Sequence, residues 1–207
     1  MFCHPSTEPN VQFPINLNLE GRRCLIVGGG RIATRKAAGL AACGAVITAV
    51  APEITDELAA LATDVRRRPY APGDVDGHWL VITATGDRSV DQAVYDDAEA
   101  AGIWANSADD PERCAFTLAA VVRRGPVMVT ASTGGVSPAL STWLRVRLTE
   151  AIGPEFADIA AELAERRAEV HARGESTEDL DWTPIIDEIV AAHRSTDTIA
   201  LATSVVS

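Results

Sequence analysis

The chain has 207 residues, 47% of them hydrophobic, which supplies a core for one full domain and for a smaller second one. Its formal net charge of −11 excludes general nucleic-acid binding, which depends on clustered basic side chains, and means that an anionic ligand must meet a local basic patch. No apolar run approaches the ~20 residues needed to span a bilayer and no signal-peptide pattern is present, so a cytoplasmic protein without a membrane partner is expected.

Residues 1–10 carry His4, Pro5, Ser6, Thr7 and Pro9 without periodicity and read as a flexible leader, so the ordered chain is expected from Phe13 onward. The apolar run from Arg23 to Val27 breaks into Gly28-Gly29-Gly30 and then into a helical pattern, which predicts strand, tight turn and helix. Gly28, Gly30 and Ala33 fit the dinucleotide-binding fingerprint: one small residue for the turn, one for close approach of a pyrophosphate, one for packing helix on strand. The pyrophosphate would sit on the helix N-terminus, where free N–H groups and the dipole favour an anion.

Farther on, residues 45–50 predict a second strand ending at Pro52, residues 55–62 a short helix, and residues 65–68 and 80–83 two more strands. Residues 89–101 predict a helix closed by Gly102, and residues 103–105 a fifth strand. Such alternation implies a parallel sheet with right-handed crossovers and ligands at the carboxyl ends of its strands. The loops 28–32, 51–53 and 84–87, with 106–110 after the fifth strand, therefore converge on one crevice.

Beyond Pro111 the alternation stops. Residues 115–122 and 127–131 are β-like and joined by a turn at Arg123-Arg124-Gly125-Pro126. Ser137 suits an N-cap and Pro138 the first position of a helix that runs to Ile152 and stops at Gly153. Residues 156–172 predict a further helix, Thr183-Pro184 opens another that reaches about His193, and residues 195–207 read as a frayed tail. Cys3, Cys24, Cys43 and Cys114 lack the spacing of a metal knuckle and the four histidines show no ligand pattern, so no permanent metal site is expected.

Several motifs in order resemble the siroheme synthase N-terminal module, also known as the precorrin-2 dehydrogenase family: Phe13-Pro14, Val27-Gly28-Gly29-Gly30 with Ala33 and Arg35-Lys36-Ala37, and Val50-Ala51-Pro52-Glu53. Ala84-Thr85-Gly86-Asp87, Asn106-Ser107-Ala108-Asp109-Asp110-Pro111 and the run from Ser132-Thr133-Gly134-Gly135 to Ser137-Pro138-Ala139-Leu140 continue the match over about residues 13–172. The resemblance implies an α/β protein in three parts: a Rossmann NAD-binding domain (1–113), a small α/β dimerisation segment (114–150) and a helical C-terminal domain (151–207), paired as a homodimer. It implies NAD-dependent dehydrogenation of a tetrapyrrole, precorrin-2, to sirohydrochlorin, with iron(II) insertion in some members. Dehydrogenase alone and dehydrogenase with chelatase both remain open.

The resemblance assigns the chemistry to Asp109, and a carboxylate just past a strand end at the crevice suits proton acceptance. The alternative is that Asp109 or Asp110 merely caps the turn before Pro111. Cofactor contacts fall to Gly28, Gly29, Gly30, Arg31, Ile32, Pro52, Glu53 and Thr85, with Glu53 near the place of a ribose-binding acid. No arginine directly follows Val50 to hold a 2′-phosphate, which favours NAD over NADP, with Arg66, Arg67 and Arg68 as the exception to be tested. Substrate contacts are expected at Asn106, Arg113, Arg124, Ser132 and Ser137, with Arg123 and one of Arg145 and Arg147 as further carboxylate-holding candidates. A different reading is a nucleotide-sensing regulatory module, which would need only residues 28–33 and leaves Asp109 and the 132–140 loop without a role.

Overall fold

The computed structural model describes residues 11–204 apart from Asp109 and Asp179, with side chains to Arg194. The leader through residue 10 and the end of the tail, 205–207, lie outside the described residues. The chain divides into two units, Met1–Leu118 and Ala119–Ser207.

In the first unit, β1 (Arg23–Val27), β2 (Val46–Val50), β3 (Asp64–Arg66), β4 (Leu80–Thr83) and β5 (Trp104–Ser107) form one parallel sheet in the order β3-β2-β1-β4-β5. Parallel strands are buried on both faces, so they read as continuous apolar runs. The side chains still alternate. Cys24, Ile26, Ile47 and Ile82 pack with α1 (Arg31–Ala41) and α2 (Asp56–Leu61), whereas Leu25, Val27, Val81 and Ala105 pack with α3 (Arg88–Ala101). Each fully buried Leu, Ile or Val contributes about 1.5–3 kcal/mol by leaving water. Burial pushes the Cys24 thiol up to about 11, so it is held as an unreactive core group.

Local sequence fixes the helix ends. Thr55 caps α2 by accepting from the Leu58 N–H at 3.3 Å, Asp87 caps α3 by accepting from Ser89 and Val90, and Gly102 closes α3 with φ 67°. The helix and strand types agree with the sequence reading, and the differences are at ends. β3 stops at Arg66, two residues short of the expected strand, because Arg67 and Arg68 turn to other partners. Residues 115–119 are not in a strand, although 115–122 was expected to be one. The chain instead doubles back after a 3₁₀ turn at Pro111–Arg113, bridges Asn106 to Cys114 in antiparallel sense, and covers the otherwise open β5 edge.

In the second unit, β6 (Ala120–Arg124) and β7 (Val127–Ala131) form an antiparallel hairpin closed by Gly125-Pro126, so Arg123 and Arg124 belong to the strand and not to the turn. Helices α4 (Pro138–Ala151), α5 (Phe156–Ala172) and α6 (Thr183–Ser204) follow. The tail expected from residue 195 is helical through Ser204, since no Gly or Pro after Pro184 interrupts α6. Among the described residues, no helix is long and apolar enough to cross a membrane.

The β3 edge is tied down by Asp74, which is buried and takes the Arg68 guanidinium at 2.6 and 2.7 Å, Arg66 at 2.9 Å and the Ala71 N–H at 3.0 Å. The Arg68 hydrogen bonds above all, with the Ala71 N–H and Arg66, hold its carboxyl down at about 2. A depressed carboxylate stabilises the fold above its unfolded pKa of about 4, and that contribution fades as the pH falls toward 2. Asp74→Asn is expected to cost about 2 kcal/mol at pH 7, a value limited by the part-exposed Arg68, with the gap to wild type closing in urea titrations between pH 5 and pH 2.

Candidate functional site

The turn from β1 into α1 is shaped by what it lacks. Gly28 has φ 120°, and a Cβ there would run into the Ala84 carbonyl; a Cβ on Gly29 would run into the Glu53 carbonyl. The Gly28 N–H donates to the Val50 carbonyl at 2.9 Å and the Gly29 carbonyl accepts from the Thr55 N–H at 3.0 Å, which draws the ends of β1, β2 and β4 together. Gly30 differs from both. It is the N-cap of α1 at φ −89°, it is exposed, and a Cβ on it would meet nothing within 4 Å.

Among the described residues no side chain caps α1, so its first N–H groups, at Gly30, Arg31, Ile32 and Ala33, have no intrahelical acceptor. No acidic residue stands in the first turn to compete for the positive end of the dipole. Ala33 is fully buried and lets α1 lie close on the sheet. A diphosphate fits this place, which lies at the carboxyl end of the sheet between β1 and β4, where the strand order reverses.

The neighbouring loops are held by bonds to the protein itself. Pro52 and Glu53 are exposed, while Ile54 is buried and its carbonyl accepts from Arg67 at 2.9 Å. Thr34 on α1 and Thr55 share a hydrogen bond of 2.9 Å across the two loops. Thr85 donates to the Asp91 carboxylate at 2.7 Å and accepts from the Asp87 N–H at 3.0 Å, so its hydroxyl organises the β4–α3 loop. Ser89 and the start of α3 hold the Asp87 carboxyl below its ordinary pKa, which keeps that cap charged.

At the end of β5, Asp109 lies outside the described residues. Asp110 accepts from the Glu112 N–H at 3.2 Å, pairs with Arg113, and lies 3.9 Å from Arg88. Arg113 also donates to Gln92 at 2.7 Å and is largely buried. The Asn106 amide is buried and donates to the Phe116 carbonyl at 2.8 Å, clasping the returning chain. Asp110, Arg113 and Asn106 therefore shape the described part of the chain between β5 and Phe116. Ser107 and its register partner Thr83 are buried, and among the described residues the hydroxyls of both lack a hydrogen-bond partner.

The remaining candidates lie in the second unit. Arg124 donates to the Arg123 and Thr149 carbonyls, at 3.0 and 3.4 Å, tying β6 to the end of α4. Ser132 accepts from the Gly134 N–H at 3.2 Å, and Ser137 caps α4 by accepting from the Leu140 N–H at 3.2 Å. Thr133, part of the Ser132–Gly135 motif but not among the expected contact residues, donates to the Ser137 carbonyl and shares a hydrogen bond with the Ser141 hydroxyl, which sets the shape of that loop. Among the described residues, no group of three or more His, Cys, Asp or Glu side chains is assembled for a metal ion.

The sequence also missed the close approach at Gly29 and the reach of Arg67 to the β2–α2 loop. The first needed the position of the Glu53 carbonyl; the second was visible only as one of three consecutive arginines.

Comparison with known proteins gives a consistent result. A family model described as putative NAD(P)-binding matches residues 15–120. Siroheme synthase 1 of Aeromonas salmonicida is 41% identical over 164 residues, covering 77% of this chain and 35% of that protein. Siroheme synthase of Chromobacterium violaceum is 42% identical over 165 residues, or 78% and 35%. The solved structure of SirC, precorrin-2 dehydrogenase, superposes with a TM-score of 0.68 at 24% identity, covering 89% of this chain and 100% of that one, which shows a shared fold. The chain thus spans about a third of the length of the curated relatives it matches.

The contrast between adjacent glycines is testable. Gly30→Asp is expected to fold with a near-normal melting temperature, because its side chain enters open space, yet to lose dinucleotide binding by calorimetry because it fills and charges the anion position. Gly29→Ala is expected to lower stability by about 1–3 kcal/mol as the Glu53 loop is pushed away.

Proposed function

This chain belongs to the putative NAD(P)-binding family, and from that premise we propose that it dehydrogenates precorrin-2 to sirohydrochlorin with NAD as acceptor. The observation that carries the reading is the similarity of about 41% to siroheme synthases over 164 residues, a stretch longer than the first unit and so reaching into the second. A nucleotide-binding module alone would not require likeness there.

NAD, when bound, supplies the acceptor for a hydride. The chain's own residues do the rest. The N–H groups of α1 and the Gly28–Gly30 turn hold the diphosphate, and the loop at Pro52 and Glu53 receives the adenosine ribose. Removing two hydrogens from the macrocycle as a hydride and a proton requires a base, and Asp109 takes that role. In sequence it comes two residues after β5 and next to Asp110, which pairs with Arg113. If iron(II) is inserted as a second substrate, the two pyrrole protons it displaces need the same acceptor.

Carboxylates of the tetrapyrrole are met by arginines and hydroxyls of the second unit, with Arg124, Ser132 and Ser137 the candidates. The protein works as a homodimer. Its hairpin has two open edges, and α4 exposes Leu140, Trp143 and Val146 without a covering element among the described residues. A cytoplasmic setting suits this chemistry and the unpaired thiols of Cys24 and Cys114.

Anaerobic incubation of the full chain with precorrin-2 and NAD, with and without iron(II), is expected to develop the absorption of sirohydrochlorin. Asp109→Asn should lower turnover by about 100-fold or more with NAD affinity unchanged, whereas Asp110→Asn should mainly lower stability. NAD binding without any turnover of precorrin-2 would leave a nucleotide-binding module and overturn the enzyme. Light scattering is expected to give a dimer mass; a monomer throughout the micromolar range would overturn the shared assembly.

A further inference from the structure

The arginine run at the end of β3 is resolved by the structure into two kinds of residue. Arg66 pairs with Asp64 and Asp74, both at 2.9 Å, and Arg68 grips Asp74 with two nitrogens, so both charges are met by carboxylates. Arg67 lies between them in sequence and points elsewhere. One of its nitrogens donates to the Ile54 carbonyl at 2.9 Å, and no carboxylate pairs with it among the described residues. It is exposed. A guanidinium has five N–H donors, so most of those on Arg67 remain available.

Its position follows from the sheet. Arg66 ends β3 beside Val50, the last residue of β2, and the Ala51 N–H donates to the Arg66 carbonyl at 3.2 Å. Arg67 is therefore the first residue past the carboxyl end of β3, next to the loop of Pro52 and Glu53. That loop is in turn locked to the glycine turn through the Glu53 carbonyl at Gly29 and the Thr55 N–H. In a doubly wound sheet the adenosine ribose lies at the end of β2, and an arginine nearby is what accommodates a 2′-phosphate.

We propose that Arg67 is a specificity-determining residue that binds the 2′-phosphate of NADP, so that this chain accepts NADP as well as NAD. The inference rests on the dinucleotide site described above and extends it to a second cofactor. Arg67 supplies a planar donor fork to the phosphate oxygens, and the Ile54 carbonyl orients that fork toward the ribose loop. Glu53, exposed on the same loop, opposes the phosphate by its charge and favours the bare ribose hydroxyl. Selection between the two cofactors is thus set by one residue of each sign, placed on neighbouring strand ends.

Calorimetry with the full chain, titrated with NAD, NADP, ADP and 2′,5′-ADP, tests this. Wild type is expected to bind NADP within about tenfold of NAD, an affinity that weakens with added salt more steeply than that for NAD. Arg67→Gln should lower the NADP-to-NAD affinity ratio, and the 2′,5′-ADP-to-ADP ratio, by tenfold or more. Using ratios separates phosphate recognition from any shift of the loop, which would weaken all four ligands together. Glu53→Gln should move both ratios the opposite way. An unchanged ratio in Arg67→Gln, or NAD binding with NADP more than about a hundredfold weaker in wild type, overturns the inference and leaves the NAD site standing. Binding of none of the four overturns the site and the inference together.

Discussion

Two carbonyl groups pressed against two glycines hold this nucleotide domain in its working shape. The Ala84 and Glu53 oxygens occupy the places that side chains on Gly28 and Gly29 would fill, so the loops after β4 and β2 lean on bare backbone. Close packing of this kind admits no extra methyl group without moving a strand end. The crevice inherits its geometry from that contact. Gly30, the next residue, is left facing open space, and α1 begins there with its amides uncovered.

The charge distribution follows the same division between structural and available groups. With a net charge of −11, the chain does not attract anions by its overall field. Many of its arginines are spent internally: Arg66 and Arg68 on Asp74, Arg113 on Asp110, Arg147 on Glu150 at 2.8 Å, and Arg173 on Glu175 at 2.9 Å. What is positive at the crevice is therefore local and directional, made of backbone N–H groups at a helix end and the guanidinium that touches Ile54. Such groups act at short range, where salt and distant acidic residues screen them least.

The sequence disclosed the strands and helices of the first unit because each carries its own punctuation. Pro52 after β2, the Thr55 and Asp87 caps and Gly102 are local signals, and local signals are readable without a fold. The 115–119 segment departs from its sequence pattern for the opposite reason. It is apolar enough for a strand, yet its course is decided by the β5 edge and by the Asn106 amide, eight to ten residues back. The two arginines of β6 sit beside Gly125 and Pro126 in a stretch that reads as one turn; in the hairpin, Gly125 and Pro126 suffice to reverse the chain. At the site, the glycine fingerprint pointed to the turn that opens α1, whereas the contacts of Thr85, Arg113 and Asn106 depend on partners six to 21 residues away, Asp91, Gln92 and Phe116.

The place of β1 at the middle of the sheet also governs how the protein emerges from synthesis. β1 pairs with β2 about twenty residues later, but its other edge is filled by β4, more than fifty residues downstream, and β5 and the returning chain come later still. Until Phe116 has left the ribosome, the first unit has an unfinished hydrophobic layer and a strand edge able to pair wrongly. The second unit opens with a hairpin of neighbouring strands, which needs no such wait. The first unit therefore waits longest for its partners, and a translational pause once Phe116 has cleared the exit tunnel would help it most.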